Sequence, residues 1–157
     1  GGSMINVVTT EGFTTARLPA KFEAGTPPIA NAIGLAAALE YVEQVGLERI
    51  HAHELALTQY AHELVADLPG MRILGPAPEH KGGLITVNIE GIAAMAIAEL
   101  VDQQGVAIRA GHHCTMPLHA RYGIAGSARA SFYLYNTREE VEVFAQALRS
   151  AIKMLRR

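Results

Sequence analysis

The segment Arg109-Ala110-Gly111-His112-His113-Cys114-Thr115-Met116-Pro117 holds the single cysteine of the chain and surrounds it with a cation, two imidazoles, a glycine and a proline. Adjacent cationic or hydrogen-bonding groups favour thiolate over thiol, and the thiolate is the form that attacks sulfur or carbon. A cysteine with only a packing role usually sits as a small apolar residue in a buried run. Cys114 lies instead in a polar loop, which points to a nucleophile. Two arginines flank it: Arg109 at the end of the preceding strand candidate and Arg129 inside the following one. An arginine in a strand can present its planar fork bidentately to a carboxylate, which suits an amino-acid substrate. Arg129 stands among Ala128, Ala130 and Phe132, where a charge needs an anionic partner. Arg109 reads equally well as half of an ordinary surface ion pair.

Metal binding is the competing use of His112, His113 and Cys114. Consecutive residues point apart, and no second cluster at chelating spacing completes a tetrahedral site, so no metal is expected. The remaining histidines, His51, His53, His62, His80 and His119, are scattered and read as solvated side chains. A second candidate site is Phe22-Glu23-Ala24-Gly25-Thr26-Pro27, where Gly25 and Thr26 precede a long helical pattern. Backbone N–H groups and a hydroxyl at a helix N-terminus suit a phosphate, although Thr26 would serve as a helix cap with or without one.

These groups must be positioned by a fold of modest size. Thr26 suits an N-cap and Pro27 the first turn of a helix reaching about Val45. Gly46 is expected to break the chain before a second helix from about Leu47 to Leu68, supported by Ile50, Leu57, Ala61, Leu64, Val65 and Leu68 at helical spacing. Short β-rich runs follow at Met71 to Leu74, Leu84 to Ile89, Val106 to Ala110 and Ala128 to Tyr135. The alternation Thr86, Val87, Asn88, Ile89 predicts a strand with one face on helices and one face wetter. Ala93 to Gln104 returns to helical spacing with Gly105 as its stop. Thr137 and Glu140 form a capping box for a last helix through Val141, Phe144, Leu148, Ile152 and Leu155. Met4 to Thr10 reads as an isolated strand without a nearby partner. The expected class is α+β, a small sheet packed with helices.

With 157 residues, 50% of them hydrophobic, the chain can bury one core without disulfides or structural metal. The net charge of -2 comes from interspersed acidic and basic residues, which argues against nucleic acid as a partner. One cysteine and no secretory-type leader fit a reducing cytoplasm, and no apolar stretch is long enough to span a membrane.

Taken together, Gly-Gly-Ser-Met-Ile at residues 1 to 5, Phe22-Glu23-Ala24-Gly25-Thr26-Pro27, Arg109-Ala110-Gly111-His112-His113-Cys114 and Arg129-Ala130-Ser131 resemble the C-terminal portion of class V aminotransferase-family cysteine desulfurases. The subgroup is the one that also contains selenocysteine lyases, and the resemblance covers the whole chain. It implies the small domain of a fold type I pyridoxal-phosphate enzyme, normally a homodimer, that takes sulfur from L-cysteine or selenium from L-selenocysteine and releases L-alanine. By resemblance, Cys114 is the nucleophile that becomes a persulfide, Arg129 grips the α-carboxylate and Arg109 is a second arginine near the substrate. Gly25 and Thr26 match a pair contacting the cofactor phosphate of the neighbouring subunit. A sulfur-acceptor protein would then serve iron–sulfur cluster assembly. The resemblance further implies that residues 1–28 are a remnant of the large domain and 29–157 the small domain with its linking helix. The family's cofactor lysine stands next to a histidine just upstream of Gly-Gly-x-Met. Lys21 falls instead before Phe22-Glu23, Lys81 falls in a Gly-rich turn and Lys153 has no such context, so this chain is expected to be inactive alone. Two other readings are a non-catalytic thiol module, sensing oxidation or docking a sulfur-transfer partner, and an aminotransferase relative without thiol chemistry.

Overall fold

A computed structural model describes residues 2–156, which fall into two compact units, one running to Gln44 and one from Val45 onward. In the first, β1 (Ile5–Val8) pairs antiparallel with β2 (Phe13–Thr15), and α1 spans Ile29–Val45. The Met4 to Thr10 run therefore has a partner after all. Its turn is built by Thr9, whose hydroxyl accepts the N–H groups of Glu11 (3.3 Å) and Gly12 (3.2 Å) while its own N–H donates to the Gly12 carbonyl (2.8 Å). The helix also starts later than expected. Pro28 supplies the carbonyl for the first helical bond, from the Ala32 N–H at 3.1 Å. Thr26 and Pro27 each precede a proline, and such residues are driven out of the helical region. Thr26 therefore does not cap α1. None of the α1 side chains is buried, including Ile29, Ile33, Leu35 and Leu39.

The second unit comprises α2 (Leu47–Val65), β3 (Met71–Leu74), β4 (Leu84–Ile89), α3 (Ala94–Asp102), β5 (Arg109–Gly111), α4 (Met116–Tyr122), β6 (Ser127–Ser131) and α5 (Arg138–Leu155). Its four-stranded sheet runs β3-β4-β6-β5, antiparallel throughout. The α+β class expected from sequence is the class observed. On β4 the side chains alternate: Ile85, Val87 and Ile89 are buried, while Leu84, Thr86 and Asn88 are half-buried. Helices α2, α3 and α5 cover the first set through Leu57, Ala61, Ile97, Val141 and Leu148. The opposite face carries the chemistry, because Thr86 lies opposite Arg129 and Arg129 lies opposite Arg109. Residues directly opposite in a ladder share a face.

Two strands are shorter than their sequence runs. Val106 and Ile108 lie against the core without joining the ladder, so β5 begins only at Arg109. Strand β6 ends at Ser131, and beyond Phe132 the chain folds into a turn in which Asn136 Oδ1 accepts the Tyr133 N–H at 2.9 Å. That turn leads into the predicted capping box of α5. Thr137 Oγ1 accepts the Glu140 N–H (3.3 Å), and the Glu140 carboxylate accepts the Thr137 N–H (3.0 Å). Hydrogen bonds from Asn136 and then from the Thr137 backbone hold the Glu140 carboxyl below its ordinary range. Thr137→Ala is expected to cost about 1 kcal/mol, read as a lower urea midpoint with an unchanged slope. Among the described residues, no helix is long and apolar enough to cross a membrane.

Candidate active site

Gly111 closes β5 at φ +116°, a conformation that a Cβ strongly disfavours. The next four residues form a turn in which the Thr115 N–H donates to the His112 carbonyl at 2.8 Å. Its two central residues, His113 (φ 52°) and Cys114 (φ 62°), are both left-handed, the hallmark of a type I′ turn that glycine and asparagine normally fill. Each non-glycine residue held there costs roughly 1–2 kcal/mol. The anchors are visible. His113 Nε2 donates to the Ser127 carbonyl at 3.0 Å, and Thr115 Oγ1 donates to the His112 carbonyl at 2.7 Å. Met116 and Pro117 then start α4, with proline in the first turn, where its missing N–H is no loss.

This turn exposes Cys114. Arg109 donates from Nη2 to the Cys114 sulfur at 3.4 Å, so a permanent cation steers the thiol. Arg109 is therefore no simple member of a surface ion pair. Arg129, its cross-strand neighbour, is half-buried, and its Nε is buried without a hydrogen-bond partner. Like charges directly opposite on a sheet repel, and a buried donor without an acceptor is costly. Both penalties disappear if an anion binds beside the two arginines. A cleft of about 350 Å³ opens at Arg129, with Thr86, His113, His119, Ser127 and Lys81 also in its wall. The arrangement is an exposed thiol held by one arginine, with a second arginine in register that lines the cleft.

Burial pushes the His113 imidazole below its ordinary value of 6.5; the hydrogen bond to the Ser127 carbonyl opposes that, while the charges of Arg129, Arg109 and His119 reinforce it. His113 is then neutral near pH 7, with its proton on Nε2. As the pH falls, the unfolded chain takes up this proton before the folded one does. The folded state is therefore at its full stability above about pH 6.5 and loses stability as the pH drops through the lowered native value. His62, pushed down by burial and next by Lys81, acts with the same sign. The urea midpoint should fall on acidification from about pH 7 to pH 5, and His113→Gln should flatten part of that fall.

The structure brings together Cys114, Arg109 and Arg129. Gly25 and Thr26 belong to the first unit, where Gly25 (φ 94°) donates its N–H to the Gly2 carbonyl at 2.8 Å and Thr26 is exposed. Among the described residues, no group of three His, Cys, Asp or Glu side chains is placed to hold a metal ion.

The reading of the scattered histidines needs correction. His119 is 4% exposed and bonded at both ring nitrogens, to the Thr115 carbonyl (3.0 Å) and to Ser127 Oγ (2.9 Å). His62 is half-buried against Lys81 Nζ at 3.1 Å, whereas His53 stays exposed, with its Nε2 at 2.9 Å from the Asn136 carbonyl. The available signal for His119 was its place four residues after Thr115 at a helix start, a spacing that stacks side chains one turn apart. Ser127 gave no comparable signal.

The sequence profile of the aminotransferase class-V family matches residues 1–144. A probable cysteine desulfurase of Synechocystis sp. is 48% identical over 155 residues, covering 98% of this chain and 37% of the relative. A cysteine desulfurase of Haloferax volcanii is 47% identical over 151 residues, covering 96% and 35% respectively. Among solved structures, the cysteine desulfurase CsdA of Escherichia coli superposes with a TM-score of 0.81 at 34% identity, over 98% of this chain and 38% of that one. The cysteine desulfurase of Thermococcus onnurineus does so with a TM-score of 0.80 at 37% identity, again over 98% and 38%. The chain thus spans little more than a third of the length of the relatives it matches. The family match over nearly the whole chain, together with a thiol turn between two in-register arginines, leads to one conclusion: this chain belongs to the class V aminotransferase family.

Proposed function

We propose that these residues are the C-terminal part of a pyridoxal-phosphate-dependent cysteine desulfurase in which Cys114 takes the sulfur of L-cysteine and L-alanine leaves. The observation that carries this reading is the exposed Cys114 sulfur 3.4 Å from the Arg109 guanidinium, beside an Arg129 whose buried Nε lacks a partner. The curated relatives named cysteine desulfurase support it.

In this reading Arg129 binds the substrate carboxylate, satisfying its unpaired donor, and Arg109 holds the Cys114 sulfur toward the substrate side chain. The Cys114 thiolate attacks the substrate sulfur. A sulfur–sulfur bond forms, the substrate carbon–sulfur bond breaks, and the electron pair stays with the departing carbon, which gains a proton to become alanine. Cys114 is left as a persulfide. Selenocysteine would react in the same way, through selenium. An acceptor protein then removes the terminal sulfur, for iron–sulfur cluster assembly.

The cofactor residues fit in part. The Thr26 hydroxyl is exposed and makes no hydrogen bond among the described residues, so it would hold the phosphate, whereas the Gly25 N–H is committed to Gly2 and shapes the turn. Pyridoxal phosphate, when bound, supplies an electron sink for the substrate. We place its anchoring lysine outside these residues: Lys81, though it follows His80, has its Nζ engaged by the Leu74 carbonyl at 2.9 Å and by His62, and Lys21 and Lys153 have no histidine beside them. The exposed apolar side chains of α1 support packing against further protein, the large domain or the second subunit of a homodimer, because a helix apolar on many sides is built for burial.

Alanine release from L-cysteine by the full-length enzyme loaded with pyridoxal phosphate tests the reading. Steady alanine production is expected there and none from residues 1–157 alone. No alanine from a correctly loaded enzyme would return Cys114 to the role of a sensing or docking thiol.

A further inference from the structure

His119 is the buried titratable side chain that the proposed chemistry leaves unused. Its partners settle its tautomer. The Thr115 carbonyl can only accept, so Nδ1 carries the proton and donates at 3.0 Å, while Nε2 accepts the Ser127 hydroxyl at 2.9 Å. Ser127 is fully buried on β6, and its carbonyl is also the acceptor for His113 at 3.0 Å. Both flanks of Cys114 are therefore tied to one residue of the sheet: His113 directly, and Thr115 through the imidazole of His119. The left-handed pair at 113 and 114 has no glycine to relax it and is held from outside.

We infer that His119, together with Ser127, is a positioning residue that locks the Cys114 turn so that the sulfur stays beside Arg109. The inference rests on the desulfurase reading for its rate, but not for the rigidity of the turn. Both residues line the cleft that holds Arg129, but their hydrogen bonds go to the turn and to each other rather than to the thiol or either arginine, so the effect acts through the backbone of the turn. Cys114 would remain present and exposed without them, but the turn would sample other conformations. Displacements of about 1 Å from a remote substitution can cost on the order of 100-fold in rate.

The experiment uses the full-length enzyme loaded with pyridoxal phosphate, with hydrogen exchange measured on the peptide spanning residues 112–118 and steady-state alanine release measured in parallel. In His119→Leu, exchange in that peptide should accelerate about 10-fold and kcat should fall about 10- to 100-fold with KM for cysteine unchanged. His119→Asn, whose amide can donate to the Thr115 carbonyl where Nδ1 does but ends short of Ser127, should recover only part of both. Should the leucine variant fail to fold, Ser127→Ala, which removes only a hydroxyl, takes its place with the same expected pattern. Unchanged exchange, or faster exchange with unchanged kcat per folded site, overturns the inference. If the unsubstituted enzyme releases no alanine, the desulfurase reading fails and the exchange rates alone decide whether His119 locks the turn.

Discussion

Replacing Cys114 by serine in the full-length enzyme is expected to lower alanine release from L-cysteine by about 10³-fold or more, as loss of a catalytic nucleophile does elsewhere. A hydroxyl cannot form the sulfur–sulfur bond on which the proposed step depends. The substitution should otherwise be silent. Cys114 is exposed, so its side chain adds nothing to the core, and serine meets the same left-handed backbone requirement. A change in unfolding free energy within about 0.5 kcal/mol is expected. Cysteine binding should survive too, because in the proposed reading Arg129 rather than the thiol grips the carboxylate. Loss of turnover with retained fold and retained substrate binding is thus the expected pattern, measured by alanine quantification, urea unfolding and substrate titration. A reduction shared equally between stability and rate would place Cys114 in the framework instead.

The second large effect is expected at Arg129. Its side chain is half-buried on the open face of the sheet, its Nε has no partner, and its cross-strand neighbour is another arginine. Such a site is electrostatically incomplete until an anion occupies it. Truncating one member of a buried, hydrogen-bonded charge pair costs about 2–5 kcal/mol. Arg129→Ala should therefore lower kcat/KM for cysteine by about 10²- to 10³-fold, mostly through KM. Arg129→Lys should restore only part of this, since an ammonium is a point charge without the planar fork. Arg109 gives the contrast. Its guanidinium contacts the cysteine sulfur, so Arg109→Ala should act mainly on kcat. The opposite split between the two arginines would mean that their roles had been exchanged.

Much of the framework that carries these residues was legible in the sequence, because each signal had a local cause. The capping box at Thr137 and Glu140 forms within one turn of chain, and the alternation along Leu84–Ile89 follows from the two faces of a strand. The order of the strands in the sheet depends on long-range pairing and was not legible. Neither was the truncation of β5, since Val106 and Ile108 are apolar for the sake of the core rather than for a ladder. The late start of α1 was readable in principle from Pro27 and Pro28, and the hairpin turn from Thr9 and Gly12, but in both places a stronger pattern nearby masked the cue.

The candidate site shows the same division. Cys114, Arg109 and Arg129 stood out because their residue types are costly or reactive in the company they keep. What the sequence could not convey is the cross-strand register that sets Arg109 opposite Arg129, or the left-handed turn that lifts Cys114 clear of the surface. His119 and Ser127 were illegible for a physical reason. Their importance lies in hydrogen bonds between a helix and a strand, and neither residue type is unusual at a surface. A histidine's role is set by what its two nitrogens meet, which only the fold reveals.

The most direct test of the account is mass spectrometry of the Cys114 peptide after the full-length, cofactor-loaded enzyme is mixed with isotopically labelled L-cysteine in the absence of any acceptor. The account predicts a peptide heavier by one labelled sulfur atom at Cys114, appearing with the first equivalent of alanine and absent from the Cys114→Ser variant. Alanine released with Cys114 unmodified, the sulfur leaving directly to solvent, would contradict it.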